Sequence, residues 1–279
     1  MTTHPQDSLQ RFMLTSAPVR GTIVRLNQSL QTVLAQHHYP IAVEQVLTEA
    51  LVANLLLTST MRWEGKLIMQ FQSKGSLSLL VTQATHKHHI TGMAHWHDPL
   101  PTDSSSLLGT GHLITSVLHN NTAEPDQSII PLNPQGLTES LQEYFERSVQ
   151  LPTKLWISGN DESAFGVLLQ VMPSPADSFN FSNFIESLDE NALHFAQPNT
   201  KVLSDLLLEQ EYTLFNEESV HFGCSCSLQK MQQAIIAMGK TEALKALEEC
   251  SPLIVQCDFC NDQYAFTLDE IQSLFPKDQ

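Results

Sequence analysis

Cys224-Ser225-Cys226 and, after thirty intervening residues, Cys257-Asp258-Phe259-Cys260 hold four of the five cysteines of the chain in two tight pairs. Thiolates prefer zinc among the common cellular metals, and two short chelating turns of two sulfurs each complete a tetrahedral shell with no open position. Such a site holds structure and hosts no substrate. The C-x-x-C half has the common knuckle spacing, whereas the C-x-C half is rarer. Grouping of this kind is not what scattered cysteines in a reducing compartment give. His221 could compete as a ligand, but four thiolates already satisfy zinc, so the expected set is Cys224, Cys226, Cys257 and Cys260 around one Zn2+.

The pairs sit in a small unit, residues 222 to 279. Ser227 is a suitable N-cap for a helix whose stripe is Leu228, Met231, Ile235 and Met238, and Gly239 is its stop signal. A second helix is expected at about 241 to 249. Residues 253 to 257 and 264 to 267 read as two strands flanking the Cys257 turn, and Thr267 with Glu270 forms a capping box that opens a last helix ending near Phe275. A subdomain this small cannot rely on its own core, so the metal is a folding requirement. Ala234 to Thr241 resembles a phosphate-binding loop, but the preceding residues continue a helical stripe and no strand feeds it. Cys250 is left as a semi-buried thiol at a helix end.

Upstream lies an acidic segment. Residues 174 to 221 carry nine Asp or Glu against Lys201 alone, half of the net charge of -16. Yet Phe179, Phe181, Phe184, Ile185 and Leu188, then Val202, Leu203, Leu206 and Leu207, recur at helical spacing. The segment reads as a helical linker of marginal helices that fold only when docked, poised near its own folding threshold. Pro173-Ser174-Pro175 marks the boundary before it.

Residues 1 to 173 read as an α+β core domain with mainly antiparallel sheet. Residues 20 to 26 are a strand. Tyr39-Pro40 precedes a helix from Ile41 to Met61 that is apolar on more than one face and therefore buried; its longest apolar run, Ala50 to Met61, is too short to span a membrane. Leu67, Met69 and Phe71, then Leu77, Leu79 and Val81, alternate across a Ser73-Lys74-Gly75 turn as a hairpin. Further strands are expected at 88 to 95, 112 to 118, 127 to 131, 153 to 158 and 164 to 172, with a helix over Gly136 to Val149. The histidines at 86, 88, 89, 95 and 97 read as solvated strand faces.

The charge of -16 makes nucleic acid and anionic membrane poor partners, since both are bound by neutralising phosphate with Lys and Arg. Residues 1 to 30 have no basic start followed by an apolar run, so no secretory signal is expected and the chain is placed in the cytoplasm. No arrangement for acyl transfer and no zinc deaminase signature is legible, so the chain is not expected to be an enzyme.

A zinc-bound thiolate is already the reactive form of sulfur. If oxidation pairs sequence neighbours, Cys224 with Cys226 and Cys257 with Cys260, each closed loop is credited with roughly 1.5 to 2 kcal/mol before strain. Structural zinc in small domains contributes roughly 10 to 16 kcal/mol. Exchanging one for the other leaves a deficit of several kcal/mol, so oxidation should unfold the unit. Strained disulfides are readily reduced, which makes the change reversible. The acidic segment then loses its docking contacts and exposes its phenylalanines and leucines on a highly charged chain, a means of holding other unfolded chains in solution.

The two cysteine pairs at this spacing, with Val19-Arg20-Gly21, residues 63 to 67 (Trp63 to Leu67), Gly92 to Trp96 and Gln150 to Trp156, resemble the redox-regulated holdase chaperones, the bacterial 33 kilodalton heat-shock proteins, over nearly the whole chain. The resemblance implies an inactive, reduced, zinc-bound form. It also implies activation by oxidants under unfolding conditions, loss of zinc, two disulfides between neighbouring cysteines, dimerisation, ATP-independent holding of unfolding clients and later hand-over to an ATP-dependent foldase system. Ser251-Pro252-Leu253, Thr110 between two glycines, and the extra Cys250 depart from the family pattern. The alternative is a zinc-ribbon adaptor for nucleic acid or a protein partner; against nucleic acid, residues 222 to 279 hold four Lys and no Arg against eight Asp or Glu. A thiol-disulfide oxidoreductase would need an exposed nucleophilic thiol in a catalytic fold.

Overall fold

The run from Ile41 to Thr60 has no polar face to offer water, and the computed structural model buries it. The structure describes residues 7–61, 64–101, 107–120, 124–173, 179–193, 197–208 and 210–275. The chain divides into two compact units, Met1–Gly223 and Cys224–Gln279. Ser174, Pro175 and Trp63, on which the expected boundary and part of the resemblance rest, lie outside the described residues.

In the first unit the strands are β1 Ser8–Leu14, β2 Val19–Leu26, β3 Gly65–Ser73, β4 Leu77–Thr85, β5 His89–Trp96, β6 Gly111–His119, β7 Asp126–Pro131, β8 Thr153–Gly159, β9 Ala164–Val171, β10 Tyr212–Ser219 and β11 His221–Phe222. Its helices are α1 Gln28–Leu34, α2 Ile41–Thr60, α3 Leu137–Tyr144, which continues into a π turn over Phe145–Val149, α4 Phe181–Glu186 and α5 Asn199–Leu207. A five-stranded sheet runs β10-β1-β2-β9-β8 and a six-stranded sheet runs β11-β5-β4-β3-β6-β7. All pairings in them are antiparallel except that of β11 with β5. The fold is α+β, as the sequence implies.

Helix α2 packs against strands of both sheets. By length and composition it could cross a membrane, but Leu47, Leu51, Leu55 and Leu56 have no exposed surface here. Val43 to Ser59 carry most of its buried side chains, so it serves as a core helix of this unit. Close approach is possible because Gly166 of β9 has no side chain: a Cβ there would lie 2.4 Å from Val52 Cγ1. Asn54, a buried amide in this core, donates to Thr82 Oγ1 at 2.9 Å and accepts from Thr58 at 3.3 Å, so its side chain is satisfied.

The outer face of the five-stranded sheet carries a second core. Phe12, Leu14, Val19, Ile23, Phe165, Val167 and Leu169 from β1, β2 and β9 are covered by Phe184, Val202, Leu203, Leu206 and Leu207 from the acidic segment. Arg25 of β2 is buried under the same cover, donating to Asn199 Oδ1 at 2.6 Å and to the Gln197 carbonyl at 2.5 Å with its guanidinium 4.8 Å from the Phe165 ring centre. Burial pulls its pKa down to about 10 despite the opposing charge of Glu217.

Three expectations are corrected. Strand β1 and helix α1 form where no element was expected. The acidic segment is helical only as far as Leu207: Tyr212–Ser219 is a strand, because β1 offers an open edge and Tyr212 and Leu214 alternate inward on it. His88 is no solvated strand residue but buried at a positive φ of 57° between β4 and β5.

Candidate metal centre

The second unit consists of α6 Leu228–Met238, α7 Lys240–Glu249, β12 Leu253–Gln256, β13 Gln263–Phe266 and α8 Leu268–Leu274. Ser227 caps α6 by accepting from the Lys230 amide at 3.3 Å. Gly239, at a φ of +92°, ends α6 and begins α7, a conformation that costs other residues strain. Thr267 and Glu270 form the reciprocal capping box that opens α8. Ile235, Ala243, Leu247, Phe266 and Ile271 make the unit's core. Of the expected α6 stripe only Ile235 is fully buried; Leu228 and Met238 are exposed. Cys250 is exposed as well, correcting the semi-buried reading.

Two local devices bring the four cysteines together. On one side Cys224 and Cys226 lie in the extended lead into α6, where Lys230 Nζ donates to the Ser225 carbonyl and to Ser225 Oγ and so pins the residue between them. On the other side β12 and β13 pair with Val255 opposite Tyr264, and the turn between them carries Cys257 and Cys260. That turn is tightened by Asn261 N to the Cys257 carbonyl at 2.8 Å and Cys257 N to the Asp262 carbonyl at 2.9 Å, with Asn261 in the left-handed region.

The four sulfurs lie within 4.8 Å of one another. A tetrahedral ion at about 2.3 Å from each would set them about 3.8 Å apart. Two of the sulfur contacts run across the motifs, Cys224 to Cys257 at 3.7 Å and Cys226 to Cys260 at 3.4 Å. Cys257 is buried and the other three are partly buried. Among the described residues no other group of three or more metal-ligating side chains converges in this way. His221 lies in β11, its ring 6.0 Å from that of His89, and is not in the cluster.

The electrostatics of the bare thiols pull in opposite directions. Burial pushes Cys224 up to about 11 and Cys260 far above the usual thiol range. Burial also raises Cys226, but hydrogen bonds from Tyr264 and the neighbouring thiols outweigh it and leave that thiol lowered. Tyr264 Oη donates to Cys226 Sγ at 3.3 Å, and the Cys226 thiol lies 3.7 Å from Asp262 Oδ2. Four sulfurs packed this closely cannot all ionise unless a cation compensates them, so the donor set and its spacing fit a divalent, thiolate-preferring ion. Sequence reasoning missed Asp262 and Tyr264, which lie two and four residues beyond Cys260.

A two-sheet α+β unit joined to a small four-cysteine module defines the class: a protein with a cysteine cluster able to hold a metal ion, appended to a larger scaffold. The chain belongs to the family described as Hsp33 protein, whose model matches residues 7–267. It is 36% identical over 274 residues to the 33 kDa chaperonin of Nitrosococcus oceani, covering 97% of this chain and 94% of that one. To the 33 kDa chaperonin of Shewanella loihica it is 34% identical over 275 residues, covering 97% and 96%. Its fold is similar to that of the crystallised 33 kDa chaperonin (heat shock protein 33 homolog) from Thermotoga maritima, with a TM-score of 0.83 at 21% identity over 96% of this chain and 98% of the other.

Proposed function

We propose that the chain is a redox-regulated, ATP-independent holdase that is inactive when reduced and metal-bound and that holds unfolding proteins after oxidation. The reading rests on one observation: the sulfurs of the Cys224 lead and of the Cys257 knuckle meet in a single cluster, with Cys224 to Cys257 at 3.7 Å and Cys226 to Cys260 at 3.4 Å. Zinc held by Cys224, Cys226, Cys257 and Cys260 would keep all four sulfurs deprotonated and tie the two segments together. Disulfides between sequence neighbours, Cys224 with Cys226 and Cys257 with Cys260, leave no bond across them. Four thiolates surrender four electrons in forming two disulfides, which two equivalents of a peroxide accept as they are reduced to water. The small core of the module is then left without its tie.

The family supports client binding in general terms, since its relatives are named chaperonins. The finer division is part of the proposal: residues 1–173 as scaffold, 174–221 as the metastable acidic cover of the second core, and 222–279 as the switch. The cover combines Val202, Leu203, Leu206 and Leu207, all buried, with a heavy excess of carboxylates, so its docked state is stabilised by apolar contact and opposed by its own charge. Exposure of those side chains gives a surface for unfolding clients, dimerisation of the active form and later transfer to an ATP-dependent foldase. No catalysis, nucleic acid or membrane is needed, and a cytoplasmic location suits a switch held reduced by default.

The test is suppression of client aggregation by the zinc-loaded reduced chain and by the chain treated with peroxide at elevated temperature, with zinc release, free thiols and circular dichroism followed together. The expected result is one zinc and four thiols lost, some helix lost, and suppression gained. Equal suppression in both states would refute the reading.

A further inference from the structure

Strands β1 and β10 form one edge pair, but they are anchored very differently. β1 is rooted in both cores of the first unit: Leu9 in the one around α2, Phe12 and Leu14 in the one on the outer face, all three buried. β10 reaches only the second core, through the partly buried Tyr212 and Leu214, and leaves Phe215 about half exposed. Its other side-chain ties are polar: Arg11 to Glu218, which is partly buried, and, at the surface, Gln10 Nε2 to the Phe215 carbonyl at 2.9 Å and Thr15 to the Glu211 carbonyl. Glu211, Glu217 and Glu218 put three like charges on or beside it with no Lys or Arg between. If the pair parts, β10 leaves and β1 stays.

A departed β10 would leave β1 as a rigid strand with a row of unpaired N–H and C=O groups beside the uncovered Phe12 and Leu14. Such an edge is a template for another extended chain, backbone bonds supplying affinity and the alternating sites supplying selection for apolar side chains. We infer that the β1 edge, Ser8–Leu14, is a strand-acceptor site for clients, and that β10 is its intramolecular occupant in the resting protein. The occupant is an extended segment of a partly unfolded protein, apolar at alternate positions. β10 itself shows the geometry: it pairs with β1 antiparallel from Ser8 opposite Ser219 to Leu14 opposite Tyr212, with an irregularity between Gln10 and Phe12. A client segment richer in apolar residues than β10 would fill the same positions beside Phe12 with more burial.

This inference rests on the holdase reading above. The test is hydrogen exchange of the full-length chain, reduced and oxidised, with and without a reduced, carbamidomethylated protein that stays unfolded, beside a light-scattering assay of holdase activity. Exchange over residues 8–14 should quicken at least about tenfold on oxidation and slow by a similar factor when the unfolded protein is added, while residues 153–159 on the opposite edge do not change. If the oxidised chain suppresses aggregation and residues 8–14 stay protected throughout, or open and are not re-protected by the unfolded protein, the acceptor site is wrong and the holdase reading survives. Re-protection that instead follows the concentration of the chain alone assigns the edge to a second copy and also overturns the inference. Absence of any aggregation suppression removes the holdase reading and this inference together.

Discussion

Tyr264 does for the thiolate centre what no cysteine can. Its hydroxyl is pushed up to about 12, chiefly by its hydrogen bond to Cys226, so it remains a donor at any physiological pH. A donor on a thiolate drains charge from sulfur and lowers its reactivity toward an oxidant. Tyr264→Phe should therefore speed peroxide-driven zinc release from the reduced chain by about three- to tenfold while leaving the zinc stoichiometry at one, as read with a chromogenic chelator. An unchanged release rate would assign Tyr264 a packing role only. The four cysteines were legible in the sequence because chelation needs short spacing, which a linear chain displays directly. Tyr264 was not legible, because its reach to Cys226 depends on the β12–β13 register that places Val255 opposite it. His88 failed for a related reason: a buried histidine at a left-handed position leaves no trace in a two-residue alternation.

Among the elements, α5 holds the acidic segment down. Leu206 has no exposed surface and sits among Phe12, Ile23 and Val167 in the second core. Truncation of such a leucine costs about 2–5 kcal/mol, a large share of what a self-repelling segment can have in reserve. Leu206→Ala should let the reduced chain suppress client aggregation with its zinc still bound, measured by light scattering beside metal analysis. Loss of zinc in that variant would mean that the damage had spread to the module. The sequence showed α5 through the spacing of Val202, Leu203, Leu206 and Leu207, and it showed the hairpins through strict alternation. It hid β10, whose strand character comes from the vacancy beside β1 rather than from its own residues, four of which in a row, Asn216 to Ser219, are polar. The same tertiary origin explains why β1 and the short α1 went unread.

At the scale of the whole molecule the two units draw on different sources of stability. Met1–Gly223 has an extended core around α2, whereas Cys224–Gln279 has little beyond Ile235, Ala243, Leu247, Phe266 and Ile271. A zinc ion held by the four cysteines would supply the rest, roughly 10 to 16 kcal/mol in modules of this kind. Stripping the metal from the reduced chain with a strong chelator at ambient temperature should therefore make residues beyond Gly223 protease-sensitive and remove the α6–α8 contribution to the circular dichroism. Residues up to 173 should keep their protection. Survival of the module without metal would show that its apolar core suffices.

Val220 gives the arrangement a property that neither sheet has alone. It is the single residue between β10, an edge of the five-stranded sheet, and β11, an edge of the six-stranded sheet; its side chain is buried in the core around α2, and its amide donates to the Asp7 carbonyl at 3.0 Å. One short run is thus stitched to both layers through a common point. While Val220 stays seated, fraying of either neighbour is local and self-healing. Once it is withdrawn, both edges come free in the same event. Loss of hydrogen-exchange protection over residues 212–219 and 221–222 is therefore expected to occur together, as one cooperative opening.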